Sequence, residues 1–163
     1  MPVPSNQRKN RTRNRREEIL GAARSLFFER GYHGTTVEQI AKRAGYSKRA
    51  VYLDFLNKDE LFITVCAEGG ERLFEKLNQI PREGISFESA IDQFVKTYIE
   101  YSRDHGEYYR MIFSEATPEI IANCSSALRE RTAQLEHDNI DVVVQWIRRA
   151  IEEKQIREVD PWD

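Results

Sequence analysis

Ser47-Lys48-Arg49, with Tyr46 just before and Tyr52 about one helical turn after, is the group of side chains in this sequence best suited to a specific chemical task. Cations in the first turn of a helix can reach base edges or phosphates, and the hydroxyls of Tyr46, Ser47 and Tyr52 add donors nearby. That chemistry is non-covalent recognition of a nucleic-acid duplex. Phosphate-cradling glycine loops, nucleophile turns and metal-ligand spacings do not occur in the sequence, so no enzymatic role, no cofactor and no metal are expected. Cys66 and Cys124 lack CxxC spacing and a neighbouring histidine, and read as reduced core residues. A helical enzyme using His105, His137 or Glu115 as acid–base groups is the reading from another class, and it needs converging polar groups that the pattern does not supply.

The elements that must position Lys48 and Arg49 are legible on both sides. Ile19, Ala22, Ala23, Leu26 and Phe27 recur at three- and four-residue steps, predicting a helix from Asn14 to Arg30 that Gly31 stops. Thr36 with Gln39 three positions later forms a capping-box pattern that opens a short helix, with Val37, Ile40, Ala41 and Ala44 inward and Gly45 at its end. Ser47 is a natural N-cap for a third helix, Lys48 to Phe55, in which Val51 and Phe55 face the core. Two short helices joined by a glycine turn let one helix enter the major groove, about 12 Å wide, while the other braces it. Leu26, Phe27, Ile40, Val51 and Phe55 are the expected core of this head.

Asn57 caps a longer fourth helix carrying Leu61, Val65, Leu73, Leu77 and Ile80 before Pro81, with Gly69-Gly70 as a weak point or bend inside it. Lys58 and the free amides at that helix start could hold a further phosphate. Beyond Pro81 the pattern stays helical: one stripe through Phe87, Ile91, Phe94, Val95, Tyr98 and Ile99, an aromatic helix from Glu107 to Ala116, and a long run from Pro118 to Lys154. No strand is predicted, so the fold class is all-α.

The totals, 25 basic against 27 acidic residues over 163, would argue against a polyanion partner, but they hide an asymmetry. Residues 1–65 hold 13 Lys/Arg against 7 Asp/Glu, a net of +6, so the first third is the phosphate-facing part. Residues 1–13 read as a flexible basic arm whose arginines, Arg13 among them, meet phosphates or the minor groove. No apolar run is long enough to cross a bilayer and no secretory signal opens the chain, so the expected location is the cytoplasm, with no membrane partner.

The stretch TTVEQIAKRAGYSKRAVYLDFLNKDELF, preceded by ILGAARSLFFERGYHG, resembles the N-terminal domain of the TetR family of transcriptional regulators. The resemblance covers roughly Arg15 to Phe62. It implies a DNA-binding head over 14–62, its helix-turn-helix motif at about 37–56, and a helical effector-binding and dimerisation body over 63–163. It also implies that Thr36, Tyr52 and Lys58 touch phosphates and that Tyr46, Ser47, Lys48 and Arg49 read bases. Asp54 departs from the pattern, being an acid where many relatives carry His or Tyr, and no DNA role is expected of it. The family closes with two further helices that pair across a two-fold axis, whereas this chain stops at VDPWD where the first is expected, so the chain is truncated or dimerises through other surfaces. The implied function is a homodimeric repressor of double-stranded operator DNA, released when a small apolar effector in the body alters the spacing of two heads. Tyr98, Tyr108, Phe113 and Trp146 are the candidate pocket residues. An effector-free regulator, its body serving only assembly, is the alternative.

Overall fold

The computed structural model describes residues 5–157, which contain helices and no strand, in keeping with the all-α expectation. Helix α1 spans Ser5–Arg30. It starts nine residues before the expected Asn14, so most of the stretch read as a flexible arm is helical, while residues 1–4 lie outside the described residues. The stretch from Ser5 to Arg13 contains neither proline nor glycine, and the ion pair of Arg13 with Glu17, 3.0 Å, supports the helix one turn on.

Helix α2, Val37–Ala44, has the expected capping box, with Thr36 Oγ1 accepting from Gln39 N and Gln39 Oε1 accepting from Thr36 N. It ends on Gly45 at φ +75°, where a side chain would be strained. Helix α3 is Lys48–Tyr52, shorter than the expected Lys48–Phe55. Its last turn tightens, the amides of Leu53 and Asp54 reaching only three residues back, yet Phe55 still enters the core. Helix α4, Lys58–Leu77, opens with Asn57 Oδ1 accepting from Glu60 N and continues through Gly69-Gly70 without interruption.

Helix α5 is Phe87–Asp104 and α6 is Gly106–Arg110, followed by a π-helical turn Met111–Glu115. The expected stripe on α5 is only partly inward: Phe87, Ile91, Phe94 and Tyr98 are half-buried and Val95 and Ile99 exposed, while the fully buried positions of the helix are Ala90 and Tyr101, outside that stripe. Tyr101 can be buried because its hydroxyl donates to Gly69 O at 2.7 Å. The long run expected from Pro118 is two helices, α7 Pro118–Ala122 and α8 Ser126–Glu152. Tertiary hydrogen bonds claim the residues between them: Asn57 Nδ2 donates to Asn123 O, Asn123 Nδ2 to Asp59 Oδ2, and Ser125 Oγ to Glu60 Oε1.

Two compact units result, and their boundaries differ from the expected division at residue 62. The first takes the chain up to Cys66 together with Arg110–Arg129, and the second takes Ala67–Tyr109 and the chain from Glu130 on. In the first, Ile19, Leu26, Phe27, Ile40, Val51, Phe55, Leu61 and Phe62 form the core, with the Phe27 and Phe62 rings edge-on at 5.1 Å. Burial of each such side chain stabilises by about 1.5–3 kcal/mol. Arg110–Arg129 is fastened to this core by polar contacts, Glu115 Oε2 accepting from Tyr32 N at 2.8 Å and Arg110 Nη2 donating to the Phe28 carbonyl at 3.2 Å. The second unit packs Leu73, Leu77, Tyr101, Tyr108, Val142 and Trp146. Cys66 and Cys124 are buried free thiols, and burial raises the pKa of both, Cys124 to about 11.

Candidate nucleic-acid interface

The turn between α2 and α3 is built by the backbone: the amides of Gly45 and Tyr46 return to the carbonyls of Lys42 and Ala41. Ser47 Oγ then accepts from Ala50 N at 3.2 Å, which starts α3 and leaves the hydroxyl proton for an outside acceptor. Val51 and Phe55 anchor α3 inward, so Lys48, Arg49 and Tyr52 point to solvent, Tyr52 at 46% exposure. Thr36, Ser47, Lys48 and Arg49 are exposed, Tyr46 half-buried. Arg13 is exposed on α1.

Several of these groups have partners that the sequence did not reveal. Lys48 donates to Glu38 of α2 and lies 5.9 Å from the centre of the Tyr52 ring. That hydrogen bond raises the Lys48 pKa and lowers that of Glu38. The Tyr46 hydroxyl donates to Glu18 of α1, which raises the Tyr46 pKa. Lys58 is half-buried, its ammonium donating to the carbonyls of Tyr32 at 3.1 Å and Thr35 at 3.3 Å over the face of the Tyr32 ring, and burial lowers its pKa. Lys58 thus ties the loop before α2 to the start of α4. The pairs 10–28 residues apart have no local signature in the sequence.

On the expectation that α3 meets a duplex, Glu38 would compete with the nucleic acid for Lys48. Glu38→Gln is therefore expected to tighten binding to all duplexes by a few-fold and to steepen the salt dependence, in titrations at several salt concentrations. Unchanged affinity would mean that Lys48 does not face the nucleic acid.

The four aromatic residues expected at a ligand pocket have different surroundings. Trp146 lines a cavity of ≈ 10 Å³ in the second unit with Phe87, Ala90 and Ala150, enough for about one water. Tyr108 is buried, Tyr98 half-buried beside Phe94 at 5.2 Å, and Phe113 is 54% exposed on the π-helical turn. His105 stacks on Tyr101 at 4.8 Å, His137 is exposed, and Glu115 is occupied by Tyr32 N and Arg110.

Residues 19–65, which carry this interface, match the family described as bacterial regulatory proteins, tetR family. Over 114 residues the chain is 32% identical to the HTH-type transcriptional activator FasR of Mycolicibacterium smegmatis, 69% of this chain and 52% of that protein. Over 75 residues it is 39% identical to the HTH-type transcriptional repressor AcnR of Corynebacterium diphtheriae, 46% of this chain and 38% of that one. Among solved structures, the TetR family transcriptional regulator PfmR from Thermus thermophilus is similar at a TM-score of 0.68 and 25% identity, over 88% of this chain and 75% of that one. The chain spans about half the length of the curated relatives it matches.

Proposed function

Since this chain belongs to the tetR family of bacterial regulatory proteins, we propose that it is a sequence-specific DNA-binding transcriptional regulator acting as a homodimer on operator DNA. The observation that carries the reading is α3: capped by Ser47 and anchored through Val51 and Phe55, it presents Lys48, Arg49 and Tyr52 outward. The net charge of +6 over residues 1–65 favours a polyanion partner for this part of the chain.

One recognition helix reads too few base pairs alone, so the expected site is a near-palindrome of two half-sites bound by two chains. Selection from a random DNA pool followed by footprinting tests this, and a single asymmetric half-site held by one chain would reject it. Thr36, Tyr52, Lys58 and Arg13 are proposed at phosphates and Tyr46, Ser47, Lys48 and Arg49 at base edges. For Lys58 the proposal requires that it give up the Tyr32 or Thr35 carbonyl.

The proposal includes repression relieved by a small apolar effector. Relatives of both senses exist by name, and a reporter downstream of the selected site reads the sense directly. In support of an effector, the Trp146 indole N–H is buried without an acceptor among the described residues, at the wall of the small cavity. The size of that cavity favours the effector-free regulator. Long-chain fatty acids added to the protein–DNA complex separate the two: release of DNA supports the effector, and unchanged binding supports the alternative.

A further inference from the structure

The face of α1 that precedes its buried stripe grips the chain on both sides of the recognition helix. Before α3, Glu18 accepts the hydrogen bond of the Tyr46 hydroxyl, and Arg11 and Arg15 lie within electrostatic reach of that group. After α3, Arg15 makes a bidentate pair with Asp54, Nε to Oδ2 at 2.7 Å and Nη2 to Oδ1 at 2.8 Å. Arg16 adds a hydrogen bond to the Asp54 carbonyl at 2.5 Å and lies 4.1 Å from the centre of the Phe55 ring. The Asp54 side chain is only 5% exposed and that of Arg15 25%, so this pair is shielded from water in a way the surface pairs of Arg13 and Lys48 are not.

Helix α1 has no acid in its first turn to complement its dipole, and Arg11 and Arg13 follow with like charge in the next turns. Something must hold it in line, and Asp54 is placed to do so. Resting on the DNA-binding reading above, we propose that Asp54 is a positioning residue: by clamping Arg15 with its carboxylate it locks the basic start of α1 to the end of the recognition helix, so that both meet DNA as one rigid piece. Arg15 is its partner in this role. The acid that departs from the family pattern is then what aims the arginines, without touching the duplex.

The proposal sets the sign of an experiment against ordinary electrostatics. Removing an acid from a DNA-facing surface removes repulsion and normally tightens binding. If Asp54 positions the arm, Asp54→Ala instead weakens binding to the selected duplex by about tenfold. The log–log salt slope also becomes shallower, by up to about 0.9 for each phosphate that the arm no longer reaches. A merely structural role would lower the melting temperature and leave the slope alone. In a background where the arm is neutralised, Arg11→Gln with Arg13→Gln, adding Asp54→Ala should cost little more, because the phosphate contacts it controls are already absent. Asp54→Asn keeps the volume and one acceptor oxygen, and reads the same slope should the alanine variant fail to fold. Binding by Asp54→Ala or Asp54→Asn at wild-type strength or tighter, or a loss fully additive with arm neutralisation, overturns the proposal. Failure of the wild-type chain to bind any duplex would instead overturn the DNA-binding reading itself.

Discussion

Arg49→Ala and Lys48→Ala chains are each expected to bind the selected duplex about 5- to 150-fold more weakly than wild type, the range for losing a bidentate base contact. The loss should come with relaxed preference at one base-pair position. Tyr52→Phe keeps the ring beside Lys48 and removes only the hydroxyl, so it should weaken all sequences alike. All three side chains are exposed, and the melting temperature should barely move, which separates lost reading from lost folding. The measurement is a competition assay against single-base variants of the site, with thermal melts alongside. If both basic substitutions leave affinity and preference intact in folded protein, α3 is not the reader and the interface must be sought elsewhere.

The second large effect concerns stability and rests on two adjacent glycines that respond differently. An alanine inside a helix normally gains about 1 kcal/mol over glycine. At Gly69, however, a Cβ would stand 2.8 Å from Cγ and 3.0 Å from Cβ of the buried Tyr108, the stem of that side chain rather than its far end. Gly69→Ala is therefore expected to destabilise by about 1–3 kcal/mol, as overpacked cores do. At Gly70 the added Cβ meets only the Cδ2 end of Leu135, at 2.7 Å, on a half-buried side chain that can turn aside. Gly70→Ala should be neutral or mildly stabilising. Urea unfolding of the two variants checks this by the order of their midpoints; the reverse order would place the Tyr108 ring elsewhere.

The parts of the fold that were legible in the sequence are those specified by neighbours in the chain. Thr36 with Gln39, Gly45 and Ser47 each act within four residues, and they mark the limits of α2 and the start of α3 where expected. The core positions Leu26, Phe27, Ile40, Val51 and Phe55 followed from periodicity and are all buried. What was not legible depends on distant partners. The break at Asn123 follows from acceptors and donors at Asn57 and Asp59, more than sixty residues away. For Lys58 the start-of-helix position that suggests a phosphate contact is visible in the sequence, while the Tyr32 and Thr35 carbonyls that hold it are not. The helical start of α1 was read as an arm because a run of like charges suggests repulsion, and the acid that anchors it, Asp54, lies 39 residues on from Arg15. The aromatic body residues share one periodicity whether they line a pocket or simply pack, so the pattern of Tyr98, Tyr108, Phe113 and Trp146 carried less information than that of the head.

The attachment of Arg110–Arg129 to the N-terminal unit has a consequence for the order of events at the ribosome. The partners that α1 to α3 find in Tyr46, Asp54 and Phe62 all lie within the first 62 residues and emerge early. The partners that Asn57, Asp59 and Glu60 find in Asn123 and Ser125 do not yet exist at that moment. Ala67–Tyr109 must be synthesised first, and at about 5–20 residues per second this leaves the nascent head without its last strut for several seconds. The reading module is thus born early and completed late, its final closure waiting on chain that belongs, by sequence, to the other half of the protein.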